Sequence, residues 1–231
     1  MSSRTDYQNT FITLFNQTAR GHSRYQVFRD FCYCAMAAIH NRYCYSDELE
    51  QFYLKTIKRY DRDDVDRIVQ LFSQVVLGLA QEPCDFLGRV FMLLELGDTH
   101  LQQFFTPWGV ARMMAKIQFQ DISALLQEKP FVTLHEPACG SGCMTLAAAE
   151  ELREQGHDPL CCLWVSVIDI DPLAAVMAYI QLSLTGIPAQ VTIGDALCDD
   201  DRKRTRYTPA HYLGNWSQRL QACQPQPQTA A

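Results

Sequence analysis

Three short segments of this chain carry residues suited to holding a polar ligand. The first is Glu136-Pro137-Ala138-Cys139-Gly140-Ser141-Gly142, whose glycines and small side chains let main-chain groups approach a ligand closely as the chain turns into a helix. The second is Asp169-Ile170-Asp171. Asp169 stands 27 positions after Gly142 (169 − 142), and a carboxylate there can accept both hydroxyls of a ribose. The third is Gly194-Asp195, whose carboxylate can accept an adenine amino proton. The shared chemistry is nucleoside recognition. None of the six histidines stands in a Ser/His/Asp or metal-ligand arrangement, so nucleophilic catalysis has no support.

The elements that must position these segments are legible around them. Phe131–His135 is a β-rich run, followed by the glycine-rich turn and an alanine-rich helix that stops at Gly156. Leu163–Asp169 reads as a second strand, apolar on both faces apart from Ser166. Asp171-Pro172 caps a helix through Val176, Met177, Ile180 and Leu184 that stops at Gly186, and Ala189–Ile193 is a third strand. This β-α-β-α-β pattern predicts parallel strands side by side in the order 3-2-1, with ligands bound beyond their C-terminal ends. The fold class is therefore α/β, an incomplete Rossmann-like sheet. Upstream, stripes such as Val65, Ile68, Phe72, Val75 and Leu79 predict one helix after another. Thr106-Pro107 reads as a helix start with threonine as cap, and Val110, Met113, Met114 and Ile117 as that helix's apolar face. The expected organisation is a helical domain over 1–100, a ligand-binding domain over 101–220 and a disordered tail over 221–231.

Composition narrows the class. Of 231 residues, 20 are Lys or Arg and 26 are Asp or Glu, a net charge of −6, which excludes bulk electrostatic binding of nucleic acid as the main business of the chain. The longest apolar stretch, Leu160–Ile170, is half the length of a membrane span, and the first residues lack an apolar signal core. The ten cysteines include no C-x-x-C spacing and several sit in apolar periodic runs. We read them as reduced thiols of a cytoplasmic protein without a metal site.

A nicotinamide dinucleotide is the obvious competing ligand. Its G-x-G-x-x-G fingerprint requires glycine where this chain has Thr145. A nucleoside with three strand-end contacts and no pyrophosphate fits better, and S-adenosylmethionine is such a ligand.

At these residues the chain resembles a known family. Gln103-Phe104-Phe105-Thr106-Pro107, the Glu136–Gly142 segment, Asp169-Ile170-Asp171-Pro172 and Gly194-Asp195-Ala196-Leu197 look like the successive cofactor motifs of N6-adenine DNA methyltransferases. Within that family the resemblance is to the modification subunits of type I restriction systems, and Asp85-Phe86-Leu87-Gly88 resembles the segment preceding the first motif. The resemblance implies that Phe105, Thr106 and Pro107 contact the methionine moiety of S-adenosylmethionine, with Glu136, Ala138 and Gly140 lining the same end. It further implies that Asp169 holds the ribose, Ile170 lies against the adenine face, and Asp195 and Ala196 meet the adenine. DNA is the implied substrate.

The family's catalytic motif, Asn/Asp-Pro-Pro-Phe/Tyr, is missing, since the sequence contains no Pro-Pro pair. The nearest stand-in is Asn215-Trp216. Glu136 replaces the family's usual Asp, and Cys143 its usual glycine. An inactive cofactor-binding regulatory or decoy subunit, or a methyltransferase acting on RNA or protein, are the alternative expectations. The first strand is expected to have an open edge, covered by a further strand from Tyr207–Leu213, the N-terminal helices, a second copy or a partner subunit. The basic cluster Arg202-Lys203-Arg204-Arg206, after acidic Asp199-Asp200-Asp201, reads as a self-neutralising loop, with phosphate contact as the alternative.

Overall fold

The structure, a computed structural model, describes residues 5–96, 105–198 and 204–223. Five helices come first: α1 (Tyr7–Gln17), α2 (Arg24–Asn41), α3 (Asp47–Ile57), α4 (Arg62–Gln81) and α5 (Phe86–Leu93). Four of these helices, all but α2, start at a side-chain cap. Asp6, Ser46, Asp61 and Asp85 each accept a hydrogen bond from a main-chain N–H three residues on, satisfying donors that the first helical turn leaves free. Aromatic rings join these helices. Phe11 meets Phe31 and Phe86 edge-on at centroid distances of 5.4 and 5.9 Å, and Phe28 lies 5.6 Å from Phe91.

The second half alternates helix and strand: α6 (Trp108–Gln118), α7 (Ile122–Glu128), β1 (Val132–Glu136), α8 (Cys143–Glu154), α9 (Pro159–Cys162), β2 (Leu163–Asp169), α10 (Pro172–Leu184) and β3 (Ala189–Ile193). β4 (Thr205–Tyr207), α11 (Pro209–Leu213) and α12 (Trp216–Ala222) follow. The sheet order is β1-β2-β3-β4. The first three strands are parallel in the expected order, and β4 runs antiparallel beside β3. Of the segment Tyr207–Leu213, only Tyr207 is extended, and it pairs with β3 rather than covering β1. Thr208 ends the strand, its hydroxyl accepting from the Ala189 N–H and donating to the Ile187 carbonyl, and Pro209 then opens a helix. The C-terminal boundary also shifts: Gln221 and Ala222 belong to α12, while 224–231 lie outside the described residues.

One face of the sheet, with Leu163, Val165, Val167, Ala189 and Val191, is buried. The helix α10 that packs on β2 and β3 is buried all round because α2 covers its other side, so the N-terminal helices and the sheet share one hydrophobic core from Phe11 to Ile193. The opposite sheet face is half-open: Trp164, Ser166, Ile168 and Gln190 are partly accessible, and Thr133 and His135 on β1 are exposed.

The face that α6 buries differs from the expected one. Val110, Met113, Met114 and Ile117 are exposed, whereas Ala111 and Ala115 pack against Cys143 and Ala147 of α8. Alanines bring the two helix backbones close. Arg112 and Lys116 then hold Glu154 of α8 at 2.6 and 3.7 Å, which fixes the rotation of α6 about its axis. Thr106 is not the cap: the helix begins one residue later with Pro107 in the capping position and no side-chain cap bond.

A buried polar network ties the halves together. The Asp85 carboxylate accepts hydrogen bonds from the Gly88 N–H (2.9 Å), the Gln181 side-chain amide (2.8 Å) and the Ser141 hydroxyl (2.6 Å). Gln181 also donates to the Ser141 carbonyl (2.8 Å) and accepts from the Leu87 N–H (2.9 Å). α5, the turn after β1 and α10 thus meet at one point.

Two pairs of substitutions test this packing. A Cβ at Gly88 would stand 2.1 Å from Asp85 Oδ2 and 2.4 Å from Ser141 Oγ, whereas nothing lies within 4 Å of one at Gly109. Gly88→Ala is expected to cost about 3 kcal/mol in denaturant unfolding, and Gly109→Ala to stabilise by about 0.5 kcal/mol. On α6, Ile117→Lys should change stability by under ~0.5 kcal/mol, while Ala115→Leu should cost roughly 1–3 kcal/mol.

Candidate functional site

The site is built where the parallel strands end. After Glu136 the chain turns back over β2, and the Cys139 N–H donates to the Ile168 carbonyl at 2.9 Å. Gly140 and Gly142 have φ of +54° and +91°, a backbone region that residues with a Cβ rarely adopt. The turn exposes the Gly140 N–H toward β2, where it donates to Asp169 Oδ2 at 2.6 Å. The other oxygen of that carboxylate, Oδ1, accepts from the Asp171 N–H at 2.9 Å. Both oxygens of Asp169 are thereby held, and each retains a second lone pair for a ligand hydroxyl. The main chain of Asp169 accepts from the Gly194 N–H at 2.9 Å, which joins the ends of β2 and β3.

Asp195 begins the next turn, its Oδ1 accepting from the Leu197 N–H at 2.9 Å. Ile170, directly after β2, is 73% exposed, an apolar side chain in the open at the C-terminal end of the sheet. From the other direction, the Phe105 ring lies against Gly140: a Cβ there would be 3.0 Å from Phe105 Cδ1. Phe105 is braced edge-on by Phe91 at 5.6 Å. The Cys143 thiol donates to the Thr106 carbonyl at 3.3 Å, so the cysteine that replaces glycine here anchors the neighbouring segment. The ten expected binding residues thus sit at one end of the sheet: Phe105, Thr106 and Pro107 beside the first strand's turn, Glu136 as the last residue of β1 with Ala138 and Gly140 on the turn, Asp169 as the last residue of β2 with Ile170 after it, and Asp195 and Ala196 after β3. Gln103 and Phe104, and the run from Asp199 to Lys203, lie outside the described residues.

The electrostatics suit a ligand that donates hydrogen bonds or carries positive charge. Burial raises the pKa of Asp169, with the Asp171 and Gly140 amides opposing and the Asp171 carboxylate adding to the rise. Burial likewise raises Glu136, opposed by the Ala138 amide and His135 and reinforced by Asp169. Burial, followed by the charges of Asp169 and Glu136, pushes the Cys139 thiol up, so it stays protonated and is a poor nucleophile. Among the described residues, no three His, Cys, Asp or Glu side chains cluster in a way that could hold a metal ion.

Asn215-Trp216 is not at this end. Trp216 is fully buried at a ring distance of 5.0 Å from Phe131, which precedes β1, and its indole N–H donates to the carbonyl of Leu160, which precedes β2. Arg219 lies over the indole at 3.8 Å. Both strands run away from this point, so the pair sits at the N-terminal end of the sheet and cannot hold a substrate base at the C-terminal end. Asn215 has φ +50° and serves the turn into α12. A cavity of about 900 Å³ between α1, α4 and α5 shares Phe105, Thr106 and Pro107 with the strand-end site but takes in none of its strand-end carboxylates.

Sequence reasoning missed the positioning partners of the site. Ser141 was legible only as a small turn residue, and Gln181 only as a position inside an apolar helix. A glutamine in an otherwise apolar helix was the available signal, since a buried polar side chain needs partners.

Comparison with known proteins follows the same region. A family model described as N-6 DNA Methylase matches residues 92–214, from the end of α5 through all four strands. The type I restriction enzyme MjaIX methylase subunit of Methanocaldococcus jannaschii is 24% identical over 145 residues, covering 61% of this chain and 24% of that protein. The chain therefore spans about a quarter of the length of this relative. Among solved structures, a Listeria monocytogenes protein assigned as a class I S-adenosylmethionine-dependent methyltransferase aligns with a TM-score of 0.49 at 14% identity, over 85% of this chain and 55% of that one. A type I restriction-modification methyltransferase subunit of Streptococcus thermophilus aligns with a TM-score of 0.39 at 15% identity, over 84% and 58%. The family match covers more than half of the sequence and contains each of the three strand-end segments, and the chain belongs to the N-6 DNA methylase family.

Proposed function

We propose that this chain binds S-adenosylmethionine at the strand ends and serves as the cofactor-holding part of adenine-N6 DNA methylation of the restriction-modification type. The observation that carries the reading is the Asp169 carboxylate, fixed by the Gly140 and Asp171 amides with acceptor capacity left for a ribose diol. Ile170 offers an apolar surface for the adenine ring and Asp195 an acceptor for its amine. Phe105, Thr106, Glu136 and Ala138 surround the methionine end. Glu136 and Asp169 bring negative charge toward the strand ends, which favours a cationic sulfonium over an anionic pyrophosphate. When bound, S-adenosylmethionine supplies an electrophilic methyl group.

The family's Asn/Asp-Pro-Pro-Phe/Tyr motif has no counterpart in this sequence. Methyl transfer to adenine requires an acceptor for the exocyclic amine and an aromatic surface for a flipped base. The sequence has no Pro-Pro pair, and Trp216 is buried at the far end of the sheet. A partner subunit is the proposed source of that function. The same two observations favour, as second reading, a cofactor-binding subunit without catalysis of its own. DNA is the proposed substrate of the assembly, and transfer to RNA or protein is the outcome that would redirect the reading. No helix among the described residues is long and apolar enough to cross a membrane.

Calorimetric titration with S-adenosylmethionine and S-adenosylhomocysteine should show saturable binding, with radiolabelled transfer to DNA absent until the missing component is added. Asp169→Ala should weaken binding by roughly 1.5–3 kcal/mol with the fold intact by circular dichroism. Equal affinity in that variant would remove the ribose assignment.

Binding should also depend on pH with a defined sign. The raised pKa means that Asp169 keeps its proton to higher pH than an ordinary carboxyl. Only the ionised form accepts two hydroxyl donors. Affinity should therefore be weak near pH 4, the ordinary carboxylate value, and tighten as pH rises through the raised pKa, with protons released on binding in that window. The part of this dependence owed to Asp169 should vanish in Asp169→Asn; an unchanged pH profile would exclude the residue as its source.

A further inference from the structure

We infer that Asp85 is a positioning residue for the strand-end site, setting cofactor affinity from α5 by fixing the backbone of the Gly140-Ser141-Gly142 turn through Ser141 and Gln181. The inference rests on the reading that the strand ends hold S-adenosylmethionine.

The turn needs an external constraint. Its two glycines have the widest backbone freedom in the chain and stand at positive φ, so their own conformational preferences do not select one geometry. Ser141 lies between them, fully buried, and is held at two points. Its hydroxyl donates to Asp85 Oδ2 at 2.6 Å, and its carbonyl accepts from Gln181 at 2.8 Å. Gln181 is itself held at both ends of its amide, by Asp85 Oδ1 and by the Leu87 N–H. One residue earlier, the Gly140 N–H donates to Asp169. Hydrogen bonds at Ser141 and at Gly140, joined by the peptide bond between those two residues, therefore link the start of α5 to the carboxylate assigned to the ribose, and three donors converge on Asp85.

Removing that acceptor would leave the Ser141 hydroxyl and one N–H of the Gln181 amide buried without an acceptor, and the turn would relax to satisfy them. The Gly140 N–H would then leave Asp169, changing the aim of the ribose carboxylate with none of the ligand-facing side chains altered. A residue needed only for folding would lower stability and leave the affinity of the folded fraction untouched.

The test uses the full chain and its Asp85→Asn, Asp85→Ala and Ser141→Ala variants, each titrated with S-adenosylmethionine well below its unfolding midpoint. Amide hydrogen exchange is followed in parallel. Asp85→Ala and Ser141→Ala should each weaken binding about tenfold, and the double variant should be no weaker than the weaker single one. Asp85→Asn should recover most of the affinity, since its oxygen still accepts from Gly88 and Gln181 and its amide can donate to Ser141 Oγ. Exchange at Gly140, Ser141 and Gly142 should accelerate in Asp85→Ala while the β2 amides stay protected. Unchanged affinity together with unchanged exchange in the turn would overturn the inference. Should the unaltered chain take up no S-adenosylmethionine, the reading of the site fails and the affinity role of Asp85 fails with it, while turn exchange that is unchanged in Asp85→Ala despite cofactor binding to the unaltered chain overturns the positioning role alone. Should Asp85→Ala not fold, the Asp85→Asn and Ser141→Ala variants decide it by the same two measurements.

Discussion

A buried carboxylate that forms no ion pair among the described residues organises this molecule. Asp85 is 5% exposed and satisfied by three donors from three different elements. Burial raises its pKa, and the hydrogen bonds from Ser141, Gln181 and Gly88 work against that rise. Such a group is costly unless every acceptor direction is used, which makes the arrangement highly specific. Gly88 must lack a side chain, Ser141 must carry a hydroxyl, and Gln181 must point its amide inward from a helix that is otherwise apolar. The N-terminal helices therefore help hold the turn after β1, because Ser141 within it is hydrogen-bonded to Asp85 at the start of α5.

The sheet is finished on one side only. Its inner face is covered by α10, which is apolar around its whole circumference because α2 lies on its outer side. The other face leaves Thr133, His135 and parts of Trp164 and Ile168 accessible, which is unusual for parallel strands. β4 and α11 close the β3 side, where Trp164 donates to the Nδ1 of buried His211 at 3.1 Å.

The helix after Thr106-Pro107 shows how pattern and environment can point in opposite directions. Four large apolar side chains at helical spacing are an ordinary signal for a buried face. Here the alanines are buried instead, because close approach to α8 and the ion pairs of Arg112 and Lys116 with Glu154 determine which side turns inward. Small residues permit a shorter interhelical distance than Met or Ile would, and a shorter distance brings more main-chain atoms into contact.

The sequence by itself determined the local parts: three parallel strands in their order, the cap at Asp171, the stops at Gly156 and Gly186, and the placement of Glu136, Gly140, Asp169 and Asp195 at strand ends. These follow from short-range rules, since cap chemistry, glycine's access to positive φ and the right-handed crossover act within a few residues or one βαβ unit. Tertiary structure decided what depends on distant neighbours. It placed Trp216 at the wrong end of the sheet for catalysis, sent the segment after Arg204 to β3 rather than β1, and turned the apolar stripe of α6 outward. It also joined Asp85, Ser141 and Gln181, residues 56 and 96 positions from Asp85, around a shared hydrogen-bond network. No periodicity encodes such a meeting. A buried polar group finds its partners through the packing of the whole chain, and that packing is what aims the carboxylate at the site.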